Sequence, residues 1–371
     1  MAADRDKETS KGFDSEIGHL YGPNPYISLN STYFRGQRSV YARDTNPTWE
    51  YLEAEVGRLE GGRCTVFASG MGAISSIVAA VEGRKTLFLA EDSYNGTRRL
   101  AQYLSDIGRL HLNMVTQKQL SSLCFITDAS PGDILFYESP SNPHLNLYDI
   151  AAISRVCRDH GLMSVVDSTL ATPFLQRPLS LGADVVVHSL TKALSGHSDV
   201  LGGAVVTKDP ELDSLFRLRR SLLGAIPSAW DVYLILRGLK TAELRVDRAS
   251  KNAYSSLFVF FKYLDPSRIY YPYHPSSPTL ELAMRQMTGG GGVVSVVFED
   301  EATAERFLDA LRQFHKATSL GGVESLAERR AIHKGEEGTH PGLVRLSFGI
   351  EPWDLLEQDL VQALETALRQ S

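Results

Sequence analysis

Lysine is a solvated surface residue in most folded proteins. In "DVVVHSLTKALSGHSDVLGG", residues 184–203, Lys192 instead lies just past an apolar run, among Ser189, Thr191, Ser195 and His197. A lysine held there becomes chemically useful when it loses its proton. Only the neutral amine attacks a carbonyl carbon, and desolvation near other cations favours that form. Other apolar runs end on polar residues too: "TLFLA" leads to Tyr94, "ILFY" to Glu138 and Asn142, and "MSVV" to Asp167. In "ASGMG", Ser69, Gly70 and Met71 open a helix with free backbone N–H groups, a ready site for an anion such as phosphate.

One cofactor asks for this whole set. Pyridoxal phosphate needs a lysine for its aldehyde, an acid beside its pyridine nitrogen, donors for its phosphate and a surface for its ring. Taken singly, each residue has an ordinary reading. Lys192 is a loop lysine, Asp167 in "DST" a turn or helix cap, and Asn142 half of an Asn-Pro turn. Ser189 and Thr191 cap the next turn, Tyr94 is a loop tyrosine, Arg345 a strand-surface ion pair, and Glu138 is structural.

The runs that would deliver these residues are short and nearly continuous: "KTLFLAED", "GDILFYES", "LMSVVDST", "ADVVVHS" and "GGAVVTK". Strands apolar on both faces, separated by helical patterns such as "LYDIAAISRVCRDHG", predict an α/β fold with a mostly parallel sheet covered on both sides. Ligands of such sheets bind beyond the strands' carboxyl ends, so the residues above would converge. An N-terminal arm over 1–45 is rich in Pro, Gly, Asn and Ser, and the cofactor-binding α/β domain spans 46–235. A smaller α+β domain follows at 236–371, with a long helical stretch over 236–264, strands "GGVVSVVFED" and "GLVRLSFGI", and helices at 301–315 and 354–368.

Composition narrows the function classes. A net charge of −6 offers no basic surplus for nucleic acid or an anionic membrane. The three cysteines, Cys64, Cys124 and Cys157, form no CxxC pair, so neither a disulfide framework nor a metal site is expected. No secretory signal or membrane span is legible, and the expectation is a soluble, cytoplasmic protein. "TGGGGV" lacks the Lys-Ser/Thr of a phosphate-binding loop, and no HExxH occurs.

Read in order, "YARDTNPTWEYLEAEVGRLEGG", "FASGMGAI", "YNGT", "ESPSNP", "VVDSTLATPFLQRPLSLGADVVVHSLTKALSGHSDVLGG", "RGLKT", "SLGGVESL" and "VRLSFGIE" cover nearly the whole chain. This series resembles the pyridoxal-phosphate enzymes of cysteine and methionine metabolism, which include cystathionine γ-synthase, the cystathionine lyases and methionine γ-lyase. The resemblance implies the type I fold of such enzymes, like that of aspartate aminotransferase. It makes Lys192 the cofactor-linking and proton-moving lysine, Asp167 the partner of the pyridine nitrogen, and Tyr94 the stacking ring that assists proton transfer. Asn142 would bond the phenolic oxygen, and Gly70, Met71, Ser189 and Thr191 would hold the phosphate. Tyr41 and Arg43 would reach the phosphate of a neighbouring subunit, implying a homo-oligomer with sites shared in a dimer, and a tetramer beyond. Arg345, with Ser319 beside it, would bind the α-carboxylate of a small amino-acid substrate through its planar fork.

The shared motifs do not choose the reaction. Gly96 stands where methionine γ-lyases usually carry Cys, and Thr318 where many cystathionine-handling members have Glu. Asn95 stands where many relatives have Gly. The expected activity is γ-replacement or γ-elimination on activated homoserine or cystathionine-like substrates. The alternatives are a β-eliminating C–S lyase and a γ-substitution with a carbon nucleophile.

Overall fold

A computed structural model describes residues 26–79, 81, 85–336 and 338–369. The part of the arm before residue 26 lies outside them. Residues 26–45 form no helix. A single antiparallel bridge joins Thr32 to Tyr41, and the segment is tied down where Ser28 N donates to Thr48 Oγ1 at 2.9 Å. The first helix, Pro47–Glu60, starts where Asn46 accepts from Thr48 N and ends at Gly61, whose φ of 85° only glycine adopts cheaply.

Seven strands make the central sheet: β1 (Arg63–Phe67), β2 (Thr86–Ala90), β3 (His111–Val115), β4 (Ile134–Glu138), β5 (Met163–Asp167), β6 (Val185–Ser189) and β7 (Gly203–Thr207). Their order is β1-β7-β6-β5-β4-β2-β3. β7 runs antiparallel to β1 and β6, and the other neighbours pair in parallel. Alternate residues feed opposite faces. Val165 and Val187 pack with Ile74 and Phe136 on one side. On the other, Val186 packs with Trp49 and Leu52, and Val166 with Ile150 and Ile153. That double burial is why the runs read as continuously apolar.

The smaller sheet has the order β10-β11-β12-β9-β8, with β8 (Ile269–Tyr270), β9 (Val293–Val297), β10 (His315–Lys316), β11 (Leu326–Arg329) and β12 (Leu343–Ser347). Helices Ala242–Phe260, Glu301–Ala310 and Trp353–Leu368 share a core with it.

Two expectations change. The stretch 236–264 holds the end of helix Ala229–Leu239 and all of Ala242–Phe260. At the break, the Gly238 carbonyl accepts from Arg245 Nη2 at 2.7 Å instead of continuing the helix. The helix expected to reach 315 ends at Ala310, because the Asp359 carboxylate captures the N–H groups of Arg312 and Gln313 at 2.7–3.0 Å.

Candidate active site

A cavity of about 520 Å³ opens where the carboxyl ends of β4, β5 and β6 face the smaller sheet. Gly70, Met71, Tyr94, Asn142, Asp167, Ser189, Thr191, Lys192, Ser319 and Arg345 all line it. Tyr41 and Arg43 do not. They lie on the exposed arm, with the Arg43 guanidinium 5.3 Å from the Tyr41 ring centre.

Asp167 closes β5 and is 5% exposed. Its Oδ1 accepts from Thr169 N at 3.0 Å and Thr169 Oγ1 at 2.6 Å, while Oδ2 makes no hydrogen bond with the described residues. The Thr169 hydroxyl oxygen also accepts from Ser189 N at 2.9 Å, so one threonine fixes the carboxylate relative to β6. Burial pushes the Asp167 carboxyl above its ordinary range, and the two Thr169 bonds and His188 oppose the shift. A free carboxylate oxygen in such a place is completed by a cationic N–H.

The helix Gly70–Val78 begins at Ser69, whose side chain accepts from Gly72 N at 3.0 Å. The N–H groups of Gly70 and Met71 have no acceptor within their own helix. Gly203 of β7 packs so closely on this start that a Cβ would come within 2.2 Å of Ser69 O. The Ser189 hydroxyl beside them makes no hydrogen bond with the described residues. The Thr191 hydroxyl is engaged with Gly202, whose N–H it accepts at 2.9 Å. Tyr94 is the N-cap residue of helix Asn95–Asp106 and is 43% exposed toward the cavity mouth. A Cβ at Gly96 would stand 2.4 Å from the Tyr94 ring, so that ring occupies the space a side chain at 96 would use.

Lys192 follows β6 by one short turn, and its Nζ donates to Ser319 Oγ at 2.9 Å. Burial lowers the Lys192 pKa, with Arg345 and Arg330 adding to the effect and Glu328 opposing it. Ser319 holds a left-handed backbone, φ 83°, a strained conformation of the kind that gathers at functional sites. Its carbonyl accepts from Arg345 Nη2 at 2.6 Å. Arg345 sits within β12, 3% exposed, and its Nη1 donates to Asn142 Oδ1 at 3.2 Å. It is also ion-paired to Glu328, its cross-strand partner in β11.

The donor set fits pyridoxal phosphate. A low-pKa lysine, a carboxylate with one oxygen free, unpaired N–H groups at a helix start, and a ring at the mouth are the features that group requires.

Several lining residues escaped the sequence reading: Arg99, Glu138, Thr169, Arg330 and His333. Glu138, taken as structural, is the Cα partner of Asp167 across β4 and β5 and ends in the same cavity. Burial first, then Asp167 and Asp92, push its carboxyl well up. Its position at a strand end was a usable signal. Arg330 and His333 carried none, since they lie on the single 3-10 turn Arg330–Ile332 after β11 and at its end.

A twisted α/β sheet with this cavity at its strand ends defines the chain as a pyridoxal-phosphate-dependent enzyme. The chain belongs to the family of Cys/Met metabolism PLP-dependent enzymes, whose profile matches residues 25–365. It is 41% identical over 334 residues to cystathionine gamma-synthase of Mycobacterium tuberculosis, covering 87% of this chain and 86% of that one. Cystathionine beta-lyase of Lactococcus lactis is 37% identical over 337 residues, covering 88% of each. The structure of cystathionine gamma synthase from Xanthomonas oryzae in complex with cystathionine superposes with a TM-score of 0.90 at 33% identity, over 98% of this chain and 99% of that one. The relatives act on sulfur-containing amino acids, and their names divide between different reactions. No helix among the described residues is long and apolar enough to cross a membrane.

Proposed function

We propose that this chain catalyses γ-replacement or γ-elimination on an activated homoserine or cystathionine-like amino acid. The observation that carries the reading is the double use of Ser319. Its hydroxyl accepts from Lys192 Nζ at 2.9 Å and its carbonyl from Arg345 at 2.6 Å. The amine and the carboxylate anchor are thereby held on one residue. An amino acid bound by its α-carboxylate at Arg345 presents its first carbons on the side of Lys192.

In this reading Gly70, Met71, Ser189 and Thr191 would hold the cofactor phosphate, Asp167 would partner the ring nitrogen, and Asn142 would bond the phenolic oxygen. The Tyr94 ring covers the cofactor ring. When bound, the cofactor supplies an electron sink for the charge left at Cα. Lys192 would take the proton from Cα and, for γ-chemistry, would hand it on before taking a second proton from Cβ. The Cγ–O or Cγ–S bond then breaks. Replacement would end with a Cγ–S bond to an incoming thiol, whose proton leaves with the departing group, and elimination would end, with one water consumed, in a 2-oxo acid and ammonia. The lowered pKa of Lys192, set first by burial and then by Arg345, supports both duties, since it favours the neutral amine that accepts a proton.

Tyr41 and Arg43 serve the phosphate of a second copy. The exposed apolar side chains around them support this: Phe34 is 86% exposed and Val40 74%. A β-eliminating C–S lyase is the second reading, favoured by the beta-lyase relative. Incubation with cystathionine, with O-acyl-homoserines plus cysteine, and with cysteine alone, followed by product masses, tests the choice. A thioether replacement product or 2-oxobutanoate supports γ-chemistry. Pyruvate from cystathionine supports β-chemistry, and no turnover of any of these refutes both.

A further inference from the structure

The turn that carries Lys192 is held from behind by the smaller domain. Arg245 lies on helix Ala242–Phe260, is 7% exposed, and makes no ion pair among the described residues. Its Nη1 donates to Ala193 O at 2.8 Å, and its Nη2 to Leu194 O at 3.2 Å and Gly238 O at 2.7 Å. Its Nε donates to Thr241 Oγ1 at 3.2 Å. A buried charge is normally paired with an opposite one. This one is directed at the backbone of the two residues that follow Lys192.

The turn depends on those bonds. Lys192 N donates to Ser189 O at 3.2 Å, and Gly196 N to Lys192 O at 2.8 Å. Between them, the carbonyls of Ala193 and Leu194 accept from no backbone N–H among the described residues. Such carbonyls need another partner, and Arg245 supplies it to both. The fit is close. A Cβ at Gly196 would stand 1.6 Å from Arg245 Nη1, and one at Gly238 would stand 2.1 Å from Ser195 O. On the cavity side, a Cβ at Gly321 would stand 2.7 Å from Ala193 N. Ala193, Arg245, Leu320 and Gly321 border one small cavity of about 30 Å³, so the guanidinium and both backbone segments meet there. Arg245 thus fixes Ala193, Ala193 packs against the segment that carries Ser319, and Ser319 Oγ accepts from Lys192 Nζ at 2.9 Å.

We infer that Arg245 is a positioning residue for Lys192: its guanidinium fixes the backbone behind the lysine, so that Nζ stands where it can move the Cα proton. Arg245 does not line the active-site cavity and acts only through the turn. The inference rests on the reading that Lys192 moves that proton, and it holds for γ- and β-chemistry alike. Misplacing a reacting group by about 1 Å can slow a reaction roughly 100-fold. Affinity for the amino acid, assigned to Arg345, is not touched by such a shift.

The test uses the holoenzyme and follows, by NMR, exchange of the Cα proton of L-norleucine for deuterium from heavy water. Norleucine has no leaving group at Cβ or Cγ, so the reading does not depend on which reaction follows. Rates are taken per cofactor-loaded site, measured from the visible band, so a partly unstable variant still gives an answer. Arg245→Met should slow exchange roughly 10–100-fold, while norleucine binding, read from the same band, stays within about threefold of wild type. Arg245→Lys, a point charge that cannot span both carbonyls, should fall between the two. Added guanidinium should restore part of the rate to Arg245→Ala. Val246→Ala thins the packing beside the same small cavity and leaves the guanidinium in place. It should lower the melting temperature and leave exchange near the wild-type rate. Exchange by Arg245→Met at the wild-type rate overturns the inference, as does a loss lying wholly in norleucine binding. So does Val246→Ala slowing exchange as much as Arg245→Met at an equal loss of melting temperature, which would mark Arg245 as packing alone. No exchange by cofactor-loaded wild type refutes the reading of Lys192 itself, and the inference falls with it.

Discussion

Asp167→Asn separates the two demands made on that residue. The Asn side-chain oxygen still accepts both Thr169 bonds, now at 3.0 and 2.6 Å to Oδ1. At the free position, however, an NH2 replaces the carboxylate oxygen, and under the proposed role it would meet the ring nitrogen of the cofactor as donor against donor. Leaving a buried charge without its partner costs about 3–5 kcal/mol. At 1.36 kcal/mol per tenfold, that is a fall in kcat of roughly 10²–10³-fold or more. The ligand-free protein should behave oppositely. Burial raises the Asp167 pKa in the fold, so the ionised form costs the apo fold free energy at any pH above that raised value, and the cost vanishes as pH falls through it. The amide carries no such cost, so the apo variant should melt at or above the wild-type temperature at pH 8. Steady-state kinetics at saturating cofactor, with occupancy read from the visible band, and apo melting curves give both numbers. A variant within tenfold of wild-type kcat at full occupancy, or an apo form that melts well below wild type, would refute this account of Asp167.

Thr169→Val removes the 2.6 Å bond to Asp167 and the acceptor of Ser189 N. Cofactor affinity should weaken about tenfold, the worth of one hydrogen bond to a charged group, with Thr169→Ser close to wild type; an unchanged titration would contradict the positioning role. Arg345 is the largest charged neighbour lowering the Lys192 pKa, so Arg345→Gln should move the pH midpoint of cofactor attachment to the apo-protein upward. Stopped-flow absorbance reads that midpoint, and a downward move would disprove the assignment. If Arg43 serves the neighbouring site, mixing and refolding Lys192→Ala with Arg43→Ala recovers activity. Random pairing makes half the dimers mixed, each with one intact site, so about a quarter of wild-type activity should return; no recovery would show that Arg43 does not complete the neighbouring subunit's site.

How much of this was legible without coordinates differs from place to place, for physical reasons. Strands β2, β4, β5, β6 and β7 stand out because burial on both faces forces unbroken apolar runs. β3, "HLNMV", is an edge strand with mixed exposure, and β1, "RCTVF", carries a buried Thr65 whose hydroxyl bonds Asp213 at 3.0 Å. Neither shows the apolar signal. The same logic governs the site. Residues delivered by a strand end or a helix start have positions set by a period in the sequence, so Asp167, Lys192 and Gly70 could be placed together before the fold was seen.

Arg330 and His333 obey no such period. Their position follows from side chains far away in sequence, with Asn95 and Arg98 holding the backbone at 334 and 335. Asn95 was singled out as a departure without a mechanism, and the structure supplies one. Its amide secures the segment that carries Arg330 and His333. A substitution at 95 acts on the cavity through a contact 239 residues away in sequence. The cavity residues at strand ends and helix starts are thus written in local pattern, while the part of the wall that carries Arg330 and His333 is written in long-range contacts.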